Sequence, residues 1–194
     1  MAENKRIVVV GIPGVGKTSL LSRTLKVLVE KQRSVTVASF GTIMFEIARE
    51  RGIEDRDHLR KLPISEQRDL QREAATRIAR MKEHIVIIDT HAFVRSPEGY
   101  YPGLPSHVLE IIRPTNFVLV VARPEEIFSR RISDNTRNRD KVNILDIKKE
   151  LSVQSGMMSA CSVITGSPIK QIHNSEGMMN EAADKIIRLS LIHI

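Results

Sequence analysis

Gly11-Ile12-Pro13-Gly14-Val15-Gly16-Lys17-Thr18 is the stretch on which the reading of this chain turns. It follows the spacing G-x-x-x-x-G-K-[ST], whose chemistry is that of a phosphate cradle. Just before it, Ile7-Val8-Val9-Val10 is apolar at every position, as a strand buried on both faces requires. Just after it, Leu21, Leu25 and Leu28 recur at helical spacing. Glycines between a strand and a helix let the backbone curl and turn its N–H groups inward. The helix N-terminus adds partial positive charge. Residues 11–18 are therefore expected to bind the phosphates of a nucleoside triphosphate. Lys17 should reach the β- and γ-phosphates, and Thr18 should place its hydroxyl on Mg²⁺.

Outward from the cradle, short apolar runs alternate with helical patterns, which predicts an α/β fold with a parallel sheet. Strands are expected at 34–39, 85–88, 117–121 and 169–173, in addition to 7–10. Leu70, Ala74, Ile78 and Met81 share a helical face; Ile147, Leu151, Met158 and Cys161 share another; Met179, Ala183, Ile186 and Ile187 mark a closing helix. Pro124 suits the first turn of a helix. The fold class is a P-loop NTPase fold, a five-stranded parallel sheet with every strand buried, flanked by helices. Asp89 ends the run Ile85-Val86-Ile87-Ile88, where ligands of such sheets gather, so its carboxylate is expected to hold Mg²⁺ through water.

Composition narrows the classes. At 194 residues, 41% hydrophobic and 27% charged, the chain suits one soluble domain spanning 1–194. Its net charge of +7 invites a nucleic-acid reading, but the basic residues sit among acids and no aromatic-interleaved stripe appears. A binder of two polyphosphates needs many cations in any case. The lone Cys161 excludes a disulfide framework and a cysteine zinc site, and its apolar neighbours suggest a core thiol. There is no leader-like N-terminus and no run of ~18 apolar residues, so the expected location is cytoplasmic.

The cradle serves switches, motors and kinases alike. No Asn-Lys-x-Asp segment is present to read guanine, and Asp89-Thr90-His91 lacks the second acid common in hydrolysing ATPases. A monophosphate acceptor, with its second pKa near ~6, needs no strong base. It needs charge neutralisation and in-line placement, which arginines supply. Arg130, Arg131, Arg137 and Arg139 crowd the segment 130–140, which lacks apolar periodicity and reads as a polar loop able to close over phosphates.

With Phe40-Gly41-Thr42, Asp55-Arg56-Asp57, Arg60-Lys61-Leu62, Asp89-Thr90-His91, Gly99-Tyr100-Tyr101-Pro102-Gly103-Leu104-Pro105 and Thr136-Arg137-Asn138-Arg139-Asp140, the chain resembles archaeal-type adenylate kinases nearly end to end. The resemblance implies reversible transfer between ATP and AMP to give two ADP, with Mg²⁺, in a homotrimer. It implies a small acceptor-binding insertion at about 40–83 and a short Arg-rich lid at about 131–141. Phe40, Gly41, Thr42, Arg60, Thr90, His91, Arg95, Tyr101, Gly103 and Leu104 would then contact AMP, and Arg131, Arg137 and Arg139 would join Lys17 in catalysis. Read alone, Arg60 fits an exposed helix end as well as a phosphate ligand. His91 fits a structural role as well as a positioning one. The apolar end Leu189–Ile194 suits docking on the core or on a neighbouring subunit. Two other readings remain: a P-loop kinase for a different small acceptor, and a basic regulatory or nucleic-acid-binding ATPase.

Overall fold

A computed structural model describes residues 4–55, 58–59, 62–96, 98–133 and 143–192. Its centre is a parallel sheet of β1 (Lys5–Val10), β2 (Val35–Ser39), β3 (Ile85–Thr90), β6 (Asn116–Val121) and β7 (Ile169–His173), in the order β2-β3-β1-β6-β7. The run Ile7–Val10 stands in the middle because only a central strand buries consecutive apolar side chains on both faces. Val8 and Val10 point into one hydrophobic cluster, and Ile7 and Val9 into the other. Full burial of each such side chain contributes about 1.5–3 kcal/mol.

Helices cover both faces. On one lie α1 (Lys17–Glu30) through Leu20, Leu21 and Leu28, and α7 (Met179–Leu191) through Ala182, Ala183, Ile186 and Ile187. On the other lie α2 (Phe40–Glu50), α3 (Ile64–Ala79) and α4 (Ser106–Ile112), joined by Met158 and Cys161 of α6 (Ile144–Thr165). The helix α5 (Pro124–Ser133) buries Ile127 and Arg131. Cys161 is a core thiol as expected; burial pushes its pKa up. Leu189 and Ser190 are likewise buried and Leu191 packs against the core, whereas Ile192 is exposed.

Four features depart from the sequence reading. The edge strand β7 buries only Ile172, and β2 is half-buried, because neither has a partner on both sides. The proline-rich segment before α4 begins with an antiparallel hairpin, β4 (Phe93–Ser96) and β5 (Gly99–Pro102), braced by an edge-to-face contact of Phe93 and Tyr100 with centroids 4.8 Å apart. The helices α2 and α4 stand where the sequence reading places no element, although Phe40, Met44, Ile47 and Ala48 of α2 recur at helical spacing. The segment read as a polar loop from Arg130 onward starts inside α5: Arg130 to Ser133 are helical and Arg131 is buried. Residues 134–142, with Arg137 and Arg139, lie outside the described residues, as does Arg60.

Register positions the chemistry. β1 pairs with β3 so that Val9 faces Asp89 and Val10 faces Thr90. β2 pairs with β3 so that Ser39 faces Asp89. The cradle, Asp89 and the start of α2 thus leave the sheet from one edge, at the strands' carboxyl ends.

Candidate active site

The cradle turns on two glycines in left-handed backbone, Gly14 (φ 91°) and Gly16 (φ 81°, the N-cap of α1). Conformation and space both demand glycine at 16, since a Cβ there would lie 2.6 Å from Asn174 Nδ2. Lys17, on the first turn of α1, points back under the loop. Its ammonium pairs with Asp89 Oδ1 at 2.5 Å and donates to the Thr90 carbonyl. Burial pushes the Lys17 pKa down, and the Asp89 carboxylate opposes that shift. Thr18 is exposed beside it.

Three residues that the motif reading did not single out hold the cradle in place. Asn174, which follows β7, donates from Nδ2 to the Val15 carbonyl at 2.8 Å. Arg130 donates to the Asn174 carbonyl at 3.1 Å and to the Val15 carbonyl at 3.4 Å. Glu126, on the first turn of α5, accepts from the backbone N–H groups of Glu176 (2.9 Å) and Arg123 (3.0 Å), locking the segment after β7 to α5. Those amide donors, with the Arg123 guanidinium, push the Glu126 pKa down to about 2. Glu150 is the third. Its Oε2 accepts from Arg131 at 2.6 Å and its Oε1 pairs with Arg95 at 2.8 Å. Arg131 also donates from Nε to the Pro13 carbonyl at 2.8 Å. An acid on the apolar stripe of a helix was the available signal for Glu150, since a buried carboxylate needs a cationic partner. Asn174 offered none beyond its place after a strand.

The expected acceptor residues fall around this edge in two groups. Thr90 is buried against Lys17, and His91 Nδ1 lies 3.4 Å from the Gly11 carbonyl. Gly103 donates to the Ala92 carbonyl at 2.8 Å, and a Cβ at this position would lie 2.0 Å from the His91 carbonyl oxygen. That close approach folds the hairpin back onto the end of β3. It leaves Tyr101 half-buried opposite Val94, and Leu104 buried with its carbonyl 3.9 Å from Cys161 Sγ. Arg95 leaves the hairpin toward Arg131. Gly41 and Thr42 are exposed on α2, with Thr42 Oγ1 donating to Ser39 Oγ at 3.0 Å, whereas Phe40 is a core side chain. The structure therefore brings Lys17, Asp89, Thr90, His91, Arg95 and Arg131 to one edge, with Gly41 and Thr42 beside it.

A strand-loop-helix phosphate cradle with a buried lysine on a strand-end aspartate, in a five-stranded parallel sheet between helices, defines the P-loop nucleotide-binding fold. Solved structures agree on the fold: shikimate kinase from Bacteroides thetaiotaomicron superposes with a TM-score of 0.62 at 15% identity over 97% of this chain and 99% of that one. A gluconokinase from Sinorhizobium meliloti gives 0.53 at 14% identity over 98% and 95%. The AAA domain family matches residues 10–148. At the level of sequence, adenylate kinase from Methanocaldococcus jannaschii is 40% identical over 96% of this chain and 98% of its own length. Those from Thermoplasma acidophilum and Methanothermobacter thermautotrophicus are 40% and 41% identical over 95% and 94% of this chain, and 97% of their own lengths. The chain belongs to the adenylate kinases, and it is a nucleoside monophosphate kinase.

Proposed function

We infer that this chain transfers the γ-phosphoryl group of ATP to AMP, reversibly, giving two ADP. The observation that carries the reading is the convergence of Arg95, from the hairpin, and Arg131, beside the donor loop, on Glu150. A phosphate oxygen of AMP attacks the γ-phosphorus, the bond to the β-phosphate oxygen breaks, and ADP leaves with that oxygen's electrons. Lys17 needs only to exchange Asp89 for phosphate, a stronger anion at the same place. Arg131 and Arg95 offer the equatorial charge that the transition state requires.

The donor side in this proposal is Gly11–Thr18. The acceptor side is Phe40, Gly41, Thr42, Thr90, His91, Arg95, Tyr101, Gly103 and Leu104, with Phe40 acting by anchoring α2. Arg60 is assigned to the acceptor side, and Arg137 and Arg139 to the lid, from resemblance alone. Mg²⁺ fits the donor set: the Asp89 carboxylate and the Thr18 hydroxyl are hard oxygen ligands. When bound, the ion neutralises charge between the β- and γ-phosphates. A cytoplasmic homotrimer belongs to the same proposal, and sedimentation of the purified chain tests the subunit number. The acceptor is tested by measuring diphosphate formation from ATP with AMP, GMP, CMP and UMP. Preference for AMP is expected, and equal rates with all four would refute the adenylate assignment.

A further inference from the structure

Phosphate binding calls for cations, yet the two arginines of this site converge on an anion. Glu150 lies on the inward stripe of α6 with Ile147, Gln154, Met158 and Cys161. An ionised carboxylate there is costly to bury unless it is fully paired. Its pairing is unusual in being divided. Instead of one arginine forking onto both oxygens, Oε1 takes Arg95 of β4 and Oε2 takes Arg131 of α5. The carboxylate therefore holds guanidinium groups from two elements, one on each oxygen, and offsets their repulsion. Arg131 extends the chain of contacts to the Pro13 carbonyl of the donor loop. An arginine has five N–H donors, and these contacts leave several on each guanidinium for phosphate oxygens.

We propose that Glu150 is a positioning residue that fixes the spacing between Arg95 and Arg131, so that both meet the phosphoryl group during transfer. The proposal rests on the transfer reading above and adds to it a link between the acceptor hairpin and the donor loop. Glu150 competes with phosphate for the same arginines, so its loss should not weaken ground-state binding of a monophosphate. What it removes is the spacing, and misplacement by about 1 Å can lower turnover ~100-fold.

Glu150→Gln is expected to lower kcat for ADP formation about 10- to 100-fold, while the Kd for AMP, read by titration calorimetry, stays equal or tightens. Glu150→Asp keeps the charge but is one methylene short of spanning both arginines, so its kcat should also fall about 10-fold or more. A kcat within about twofold of wild type in either folded variant would overturn the proposal. So would an AMP affinity lost in step with kcat, which would make Glu150 part of the binding wall. If Glu150→Gln does not fold, Glu150→Asp combined with Arg95→Gln carries the test. Coupled residues give losses that are less than multiplicative, and multiplicative losses would refute the link. Failure of the transfer reading would appear in the wild-type protein on the acceptor panel, whereas failure of this proposal appears only in the variants.

Discussion

Lys17→Met separates what the cradle needs for chemistry from what it needs to fold. The substitution keeps the length and apolar stem of the side chain and deletes only the ammonium. In the nucleotide-free protein that ammonium is buried, and burial, not Asp89, dominates its shift, so its pKa falls below the ordinary 10.5. A charge that the folded state disfavours contributes little to stability. Against that, the substitution leaves Asp89 Oδ1 buried without its cation, although 24% of the side chain stays exposed. The net loss of stability should stay within about 3 kcal/mol, the cost of one buried acceptor left unpaired, a Tm shift of at most roughly 6–12 °C for a chain of this size. Turnover is different, because Lys17 is the cation under the cradle. Removing one preorganised donor to developing charge costs about 3–4 kcal/mol, or ~10²–10³ in kcat.

The assay is steady-state ADP formation beside thermal unfolding without nucleotide. Turnover within about threefold of wild type would refute the role, and a Tm loss above about 12 °C would refute the claim that the fold tolerates loss of the ammonium. Linkage adds a sign. With the folded pKa below the unfolded one, the unfolded chain binds the extra proton between the two values, so stability rises with pH through that window. The Tm of the wild type relative to Lys17→Met should therefore climb as pH approaches 10.5; a falling difference would mean that Asp89 outweighs burial.

Other perturbations test the scaffold around the cradle. Glu126→Gln removes the charge held at about 2 by the Glu176 and Arg123 donors. The wild-type contribution is present above the ordinary 4.5 and lost as pH falls toward 2, so the variant should lose about 1–3 kcal/mol at neutral pH and show a flatter acid limb in a Tm-versus-pH series. Gly103→Ala places a methyl 2.0 Å from the His91 carbonyl oxygen. Overpacking of this kind costs about 1–3 kcal/mol, and the KM for AMP should rise more than that for ATP, because the hairpin is displaced and the cradle is not. Asn174→Ala deletes the donor to Val15; the KM for ATP should rise up to about tenfold, as loss of one ~1 kcal/mol bond implies, and an unchanged KM would leave Asn174 without a role in the cradle.

The residues assigned to phosphate binding were legible in the sequence because their chemistry is local. Gly11–Thr18 is a contiguous motif, and Asp89 is marked by the four apolar residues before it. The central strands were legible for the same reason, since burial on both faces writes an unbroken apolar run at 7–10, 85–88 and 117–121. The edge strand β7 was placed correctly, but its burial was overstated: Ile169-Lys170-Gln171-Ile172-His173 has only Ile172 facing the core. The β4–β5 hairpin hid behind glycines and prolines in strands of four residues, too short to show alternation. The start of the arginine segment reads as loop because apolar periodicity stops at Phe128, although Glu125 and Glu126 at one end and Arg130 and Arg131 at the other are the charge pattern of one helix. What stayed illegible is the support. Glu150 lies 19 residues from Arg131, and Asn174 lies 159 from Val15, so their roles exist only once the sheet has closed. A phosphate ligand declares itself by what flanks it, while the group that fixes the ligand's position declares itself only by what it meets. The arginines of this site could therefore be named from sequence, but the carboxylate that both of them pair with could not.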